Sequence, residues 1–231
     1  MKRFIQYFYF FRQVNIVQFF YLNYFCKNVI RKDKSKIIPY KHAVIELDKD
    51  SKIYLENGDI EAGCDRLKKS KAETLICLKK GARWNSGGGC KISYGCTIHL
   101  LPNSVFESKY FTINCNSVIV VSKNVTLGDD VMISRNVVIY DSDFHQILDE
   151  KKRVMNPSKP VKIGDHVWLG VNVTILKGAE IGSGCVIGAR TLVNGTVEAH
   201  CIYQEQREKT ERTNYRCWNR KHPEEVGDYK E

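Results

Sequence analysis

From residue 161 to residue 198 the chain repeats every six residues, and no other feature constrains its fold as tightly. Read in sixes, the stretch is VKIGDH, VWLGVN, VTILKG, AEIGSG, CVIGAR and TLVNGT. The third place holds Ile163, Leu169, Ile175, Ile181, Ile187 and Val193. The first holds Val161, Val167, Val173, Ala179, Cys185 and Thr191. A helix would carry an apolar period near 3.6, and an ordinary strand an uninterrupted period of two. A period of six, with Gly164, Gly170, Gly182 and Gly188 following the aliphatic residue, means short strands broken by turns and stacked rung upon rung. The expected class is all-β, a parallel β-helix.

The repeat starts earlier. Val125, Val131 and Val137 keep the first place, and Leu127, Ile133 and Ile139 keep the third. Between Ile139 and Ile163 lie 24 residues, four times six, so the phase survives an insertion of about 20 residues at 141–160. Ile92 and Ile98 fit as well, then Ser104 breaks the pattern and the phase slips. Looser rungs are expected back to about residue 43. In such a coil each aliphatic side chain sits above its equivalent in the rung below, and Gly, Asn and Asp at the corners supply backbone shapes that β-branched residues resist. The core is quasi-one-dimensional and its end rungs need covers.

The 231 residues fit one main domain with terminal additions. Three segments are expected: 1–36, an aromatic and basic helical piece; 37–202, the coil; and 203–231, a charged tail. The first 30 residues crowd aromatics around Lys2, Arg3, Arg12 and Lys27. Arg12, Gln13, Asn15 and Gln18 make them too polar to span a bilayer. They read as a helix capping the open end of the coil, or as a helix lying in a membrane interface. The stretch RKDKSK at 31–36 reads as a solvated connector.

A net charge of +10 points to acidic partners, an anionic membrane surface or a phosphorylated ligand among them, or to a Lys-rich composition that merely keeps the chain in solution. The basic runs lie in the tails and not on an aromatic platform, which argues against nucleic acid. Nine Cys are scattered without a CxxC, and no Cys/His cluster has zinc spacing. Reduced thiols in a cytoplasm are expected. Cys185 takes a core position, and Cys90 and Cys96, one rung apart, are candidates to stack.

The insertion is where chemistry is expected, since loops carry function on rigid scaffolds. It reads YDSDFHQILDEKKRVMNPSKP. His145 is its one imidazole, and Asp141 and Asp143 stand four and two residues before it. A carboxylate beside a His can fix its tautomer and support the imidazolium. An idle exposed His and plain turn chemistry are the alternatives for this motif.

The loop motif DSDFH (Asp141 to His145), then IGDHVWLGVNVTILKG (Ile163 to Gly178) and IGSGCVIGARTLV (Ile181 to Val193) resemble the hexapeptide-repeat acyltransferases. The likeness is strongest to the O-acetyltransferases of the maltose, galactoside and capsular-polysaccharide type. Motif-level similarity covers residues 113–202. The resemblance implies a left-handed parallel β-helix with three hexapeptides per coil. It also implies a homotrimer with active sites between neighbours, acetyl-CoA as donor, no metal, and a sugar or glycan hydroxyl as acceptor. His145 would be the general base, supported by Asp143, in direct transfer within a ternary complex. No nucleophilic Ser or Cys stands in the motif, so no acyl-enzyme is implied. The backbone at Val171 and Ala189 would meet the cofactor. Trp168, Gly170 and Gly188 would shape its slot, and Asn194 stands where relatives meet the CoA phosphates. Asn114 and Asp141 would face the acceptor. Relatives continue past the last rung with a different segment, so a non-catalytic β-helix scaffold is the alternative function. A zinc hydrolase on the same scaffold would need three clustered His, a spacing this sequence lacks.

Overall fold

The computed structural model of the chain describes residues 12–205 and 209–212. Among these, the strands form three sheets of eight, nine and seven members. The chain visits the sheets in rotation, so each sheet is one side of a three-sided coil. The first face runs from Val29–Arg31 to Thr196–Val197, the second from Ile37–Pro39 to Lys209–Arg212, and the third from Ala43–Leu47 to Leu192–Val193. All pairings within the coil are parallel; the last one, between Ile202–Glu205 and Lys209–Arg212, is antiparallel.

The six-residue register emerges as stacking. Ile163 pairs with Ile181, Leu169 with Ile187 and Ile175 with Val193, one aliphatic residue above another on each face. These side chains are buried, as are the small first-place residues Val167, Val173, Ala179 and Cys185. The phase carries across the insertion. Leu127 pairs with Ile163 and Ile139 with Ile175, so the loop leaves and returns without disturbing the ladder. Corners take left-handed backbone at Asp130, Asn136, His166 and Asn172, the polar residue types expected there.

Three expectations about boundaries need correction. The coil begins at Val29, whose strand pairs with Ile53–Leu55, and not near residue 37. The stretch 31–36 is solvated at Lys32, Asp33 and Lys34 but is more than a connector: Arg31 ends the first strand and donates to the carbonyls of Leu22 and Ser35 and to Asn23 Oδ1. The strand Ile202–Glu205 crosses the boundary placed at 202, and Tyr203 is buried in the core. Cys90 and Cys96 do not stack, because Cys90 lies in a second-face strand and Cys96 at the corner before the third face. The eight described cysteines are free thiols.

The helical cover is present. An α-helical turn at Ile16–Phe20 continues as a π-helical turn at Tyr21–Phe25. Asn15 caps it by accepting from Gln18 N at 3.2 Å. Leu22 and Cys26 enter the core beside Val29 and Ile37. Asn23 satisfies the edge beneath: its Nδ2 donates to Ile37 O at 2.7 Å and its Oδ1 accepts from Ile37 N at 3.0 Å. A buried amide that spends its donors and acceptor this way seals a strand edge that would otherwise be open. Whatever the sequence suggested for residues 1–11 lies outside the described residues.

Candidate active site

The register sorts the candidate residues into two columns on different corners. Each second-face strand ends at the corner leading to the third face. Asn114, Ser134, Gly170 and Gly188 follow Ile113, Ile133, Leu169 and Ile187 there, and each backbone N–H donates to the carbonyl of the coil above. Val171 and Ala189 come next along the chain and are exposed. Asn114, the slot residues Trp168, Gly170 and Val171, and Gly188 with Ala189 are thereby brought to one corner. Gly170 is needed for the close stacking: a Cβ there would come within 2.7 Å of Ile187 O and 2.8 Å of Ala189 N. Trp168 is 38% exposed, and its Nε1 donates to Ser134 Oγ at 3.1 Å. That bond fixes the indole beside the corner. Ser134 was not singled out from the sequence; its place one rung below Gly170 is the signal that could have found it.

The loop stands on the next corner, between the third and first faces. Its root is Asp141, which is fully buried. One carboxylate oxygen accepts from Ser122 N at 2.6 Å, and the other from Lys123 N at 2.6 Å and Asn124 N at 2.7 Å. Burial pushes its carboxyl above the usual Asp range, against the pull of the three N–H donors. Asp141 is therefore a bracket between coils and has no oxygen directed to an acceptor, which corrects its expected role in substrate binding. The loop closes on the same residue: Lys159 N donates to Asp141 O at 3.1 Å, and the Ser142 and Ser158 hydroxyls meet at 2.9 Å.

Asp143 also departs from expectation. Its carboxylate receives the Lys177 ammonium and the Asn156 amide, the latter at 2.8 Å, and these hold it below the ordinary carboxylate range. It does not hydrogen-bond the His145 ring. Lys177 reaches from the coil above and donates to Asn156 O at 3.2 Å. Asn156 spans the loop and also donates to His145 O at 2.9 Å. The backbone of His145 is thus held on both sides, since its N–H donates to Asp143 O at 2.8 Å. The ring itself is exposed and makes no hydrogen bond among the described residues. Asn194 shares this corner, one coil above Lys177, and stands apart from the slot residues.

A side of the coil spans about 15 Å at 3.3 Å per residue, so slot and loop stand well apart on one chain. The groove of about 670 Å³ on the first face, lined by Tyr54, Arg83, Asn85 and Glu107 among others, includes neither. His166 Nδ1 lies 2.7 Å from Asp130 Oδ2 at a third corner. Among the described residues no three His, Cys, Asp or Glu side chains are grouped to hold a metal ion.

Comparison with known proteins agrees with this architecture. Residues 160–195 match the family model described as bacterial transferase hexapeptide (six repeats). Galactoside O-acetyltransferase of Escherichia coli (strain K12) is 34% identical over 110 residues, 48% of this chain and 51% of that protein. Polysialic acid O-acetyltransferase of Escherichia coli O1:K1 / APEC is 39% identical over 102 residues, 43% of this chain and 33% of that protein. The chain thus spans about half the length of the first relative and a third of the second. The crystal structure of the polySia specific acetyltransferase NeuO superposes with a TM-score of 0.51 at 23% identity, covering 87% of this chain and 93% of that one. That likeness concerns the fold. With the repeat match at residues 160–195 and the three parallel faces, the chain carries the transferase hexapeptide repeat and is built as a left-handed parallel β-helix.

Proposed function

We propose that the protein is an O-acetyltransferase that moves an acetyl group from acetyl-CoA to a hydroxyl of a sugar or surface glycan. The observation that carries this reading is the rooted loop. Its backbone is pinned at Asp141, Asn156 and Lys177, while the ring of His145 is left with both nitrogens unspent. Relatives named for galactoside and polysialic acid O-acetylation support the reaction class.

In this reading the imidazole takes the proton of the acceptor hydroxyl as its oxygen attacks the thioester carbonyl. The tetrahedral oxyanion collapses, the C–S bond breaks, and the imidazolium returns the proton to the departing thiolate. Lys177 acts through Asp143 as a positioning residue, because it holds the loop and not the reacting atoms. The donor lies along the corner of Trp168, Gly170 and Gly188. Loop and slot occupy different corners of one chain, so a second copy completes the site. A closed ring of three, setting the slot corner of one copy against the loop of the next, would form three equal sites.

The test is release of CoA thiol from acetyl-CoA across a panel of mono- and oligosaccharides. His145→Ala should lower turnover by about 10²- to 10⁴-fold without changing the assembly state. A variant as fast as the parent protein with its best acceptor would remove His145 from the chemistry.

One observation favours a second reading, a β-helix that no longer uses CoA. The last coil is shorter, since Ile181 pairs with Val197, sixteen residues on, where Ile163 pairs with Ile181 after eighteen. The shortening falls at Asn194 and Gly195, at the expected phosphate end. Millimolar CoA should raise the melting temperature if the slot is intact, and failure to do so would favour the scaffold.

A further inference from the structure

The helical cover is apolar on two sides. Its inner side puts Leu22 and Cys26 into the core. Its outer side carries Val17 at 83% exposure, Phe20 at 50%, Tyr21 at 55%, Tyr24 at 59% and Phe25 at 73%. The spacing is i, i+3, i+4, i+7 and i+8, one continuous helical stripe directed to solvent. Single exposed apolar residues need no explanation, but a contiguous aromatic stripe does. Cations border it. Lys27 and Lys34 are exposed, and Lys36 Nζ stands 5.0 Å from the centroid of the Tyr24 ring. Between residues 12 and 36 there are six Lys or Arg and one carboxylate, Asp33. The eleven residues upstream repeat the composition, with Lys2 and Arg3 followed by seven aromatic or aliphatic side chains.

We propose that this end of the coil docks on an anionic lipid surface. The stripe enters the headgroup boundary and Lys27, Lys34 and Lys36 meet lipid phosphates, an arrangement of aromatics and basic residues suited to that depth. No described helix is long and apolar enough to cross a membrane. A second copy of the chain is the poorer occupant, because pairing two such ends would face like charges across the contact. The coil axis would then stand away from the membrane, with the loop corner about five rungs above it. The inference does not rest on the transferase reading, and its test measures binding and not turnover.

The experiment is co-sedimentation of the full chain with large vesicles of phosphatidylcholine, with or without phosphatidylglycerol. The parent protein should pellet with the anionic vesicles and lose that binding at high salt. The triple variant Val17→Ser, Phe20→Ser, Phe25→Ser should bind at least about tenfold more weakly with unchanged circular dichroism. The pair Lys27→Glu, Lys34→Glu should lose preference for anionic vesicles while keeping the stripe. Failure of the parent protein to pellet, or undiminished binding by the triple variant, would overturn the proposal. So would a triple variant whose only defect is lost self-association.

Discussion

The two ends of the coil solve the same packing problem differently. In residues 161–193 partner strands are eighteen residues apart, many strands are two residues long, and the interior is filled by Val173, Ala179, Cys185 and the third-place aliphatics. In residues 29–121 the spacing is irregular: Leu55 pairs with Ser86, and Ser86 with Ser108. Strands there reach five residues, as in Ala43–Leu47 and Thr74–Leu78. Their interior holds Trp84, Phe106 and Phe111, with ring centroids 5.2 Å and 6.0 Å apart. A short strand makes few ladder bonds, so its coil depends on small to medium aliphatic volumes kept within a narrow range in every rung. A longer strand carries its own ladder, and large rings can fill a wider coil while the corners absorb extra residues.

The strongest test of that contrast is a pair of truncations. Trp84→Ala removes a fully buried ring and the bond from its Nε1 to Ser108 Oγ at 3.0 Å, and should cost about 4 kcal/mol. Leu169→Ala empties one small rung and should cost about 3 kcal/mol. Urea midpoints at constant slope would measure both. If the wide coil can close over its cavity, Trp84→Ala would prove the milder, and the view that the rings hold those rungs open would fail.

The contrast also explains what the sequence makes readable. A strict six-residue register carries its phase through the loop, so Ile139 over Ile175 could be derived without coordinates. The wide rungs hide because their spacing changes at each corner and their core residues share no one size. The loop was legible as a place but not in its wiring. Asp141 and Asp143 look alike as carboxylates near a His, and only the third dimension separates a buried bracket from a partner of Lys177. One signal was available. Lys177 follows Ile175 by the same two positions as Asp141 follows Ile139, so the register alone sets it above the loop root.

A smaller effect is expected where coil and loop meet. Asp141→Ala leaves the N–H groups of Ser122, Lys123 and Asn124 without their acceptor and should cost about 2 kcal/mol. Asp141→Asn should recover part of this, since its one amide oxygen can still accept from Lys123 N and Asn124 N while its nitrogen cannot accept from Ser122 N. Its fingerprint is local: trypsin should cleave faster at Lys151, Lys152 and Arg153, while the rungs at 161–193 stay protected. Uniform loosening of the whole coil would mean that Asp141 supports the stack and not the loop.

The smallest predicted effect separates the loop from the coil by pH. Lys177 and then Asn156 hold the Asp143 carboxyl below its ordinary value of 3.8. A group whose folded pKa is depressed contributes fully above its unfolded value, and the contribution is lost as pH falls through the folded one. The anchor should therefore be constant from pH 7 to pH 5 and loosen only below 3.8. Lys177→Met should show at neutral pH the loop exchange that the parent protein shows only in acid, a rise of about two- to fivefold in amide exchange across residues 142–158. The rungs at 161–193 contain no such pair in their interior and should not respond over the same range. If the parent loop loosens already between pH 7 and pH 5, a group of higher pKa governs it.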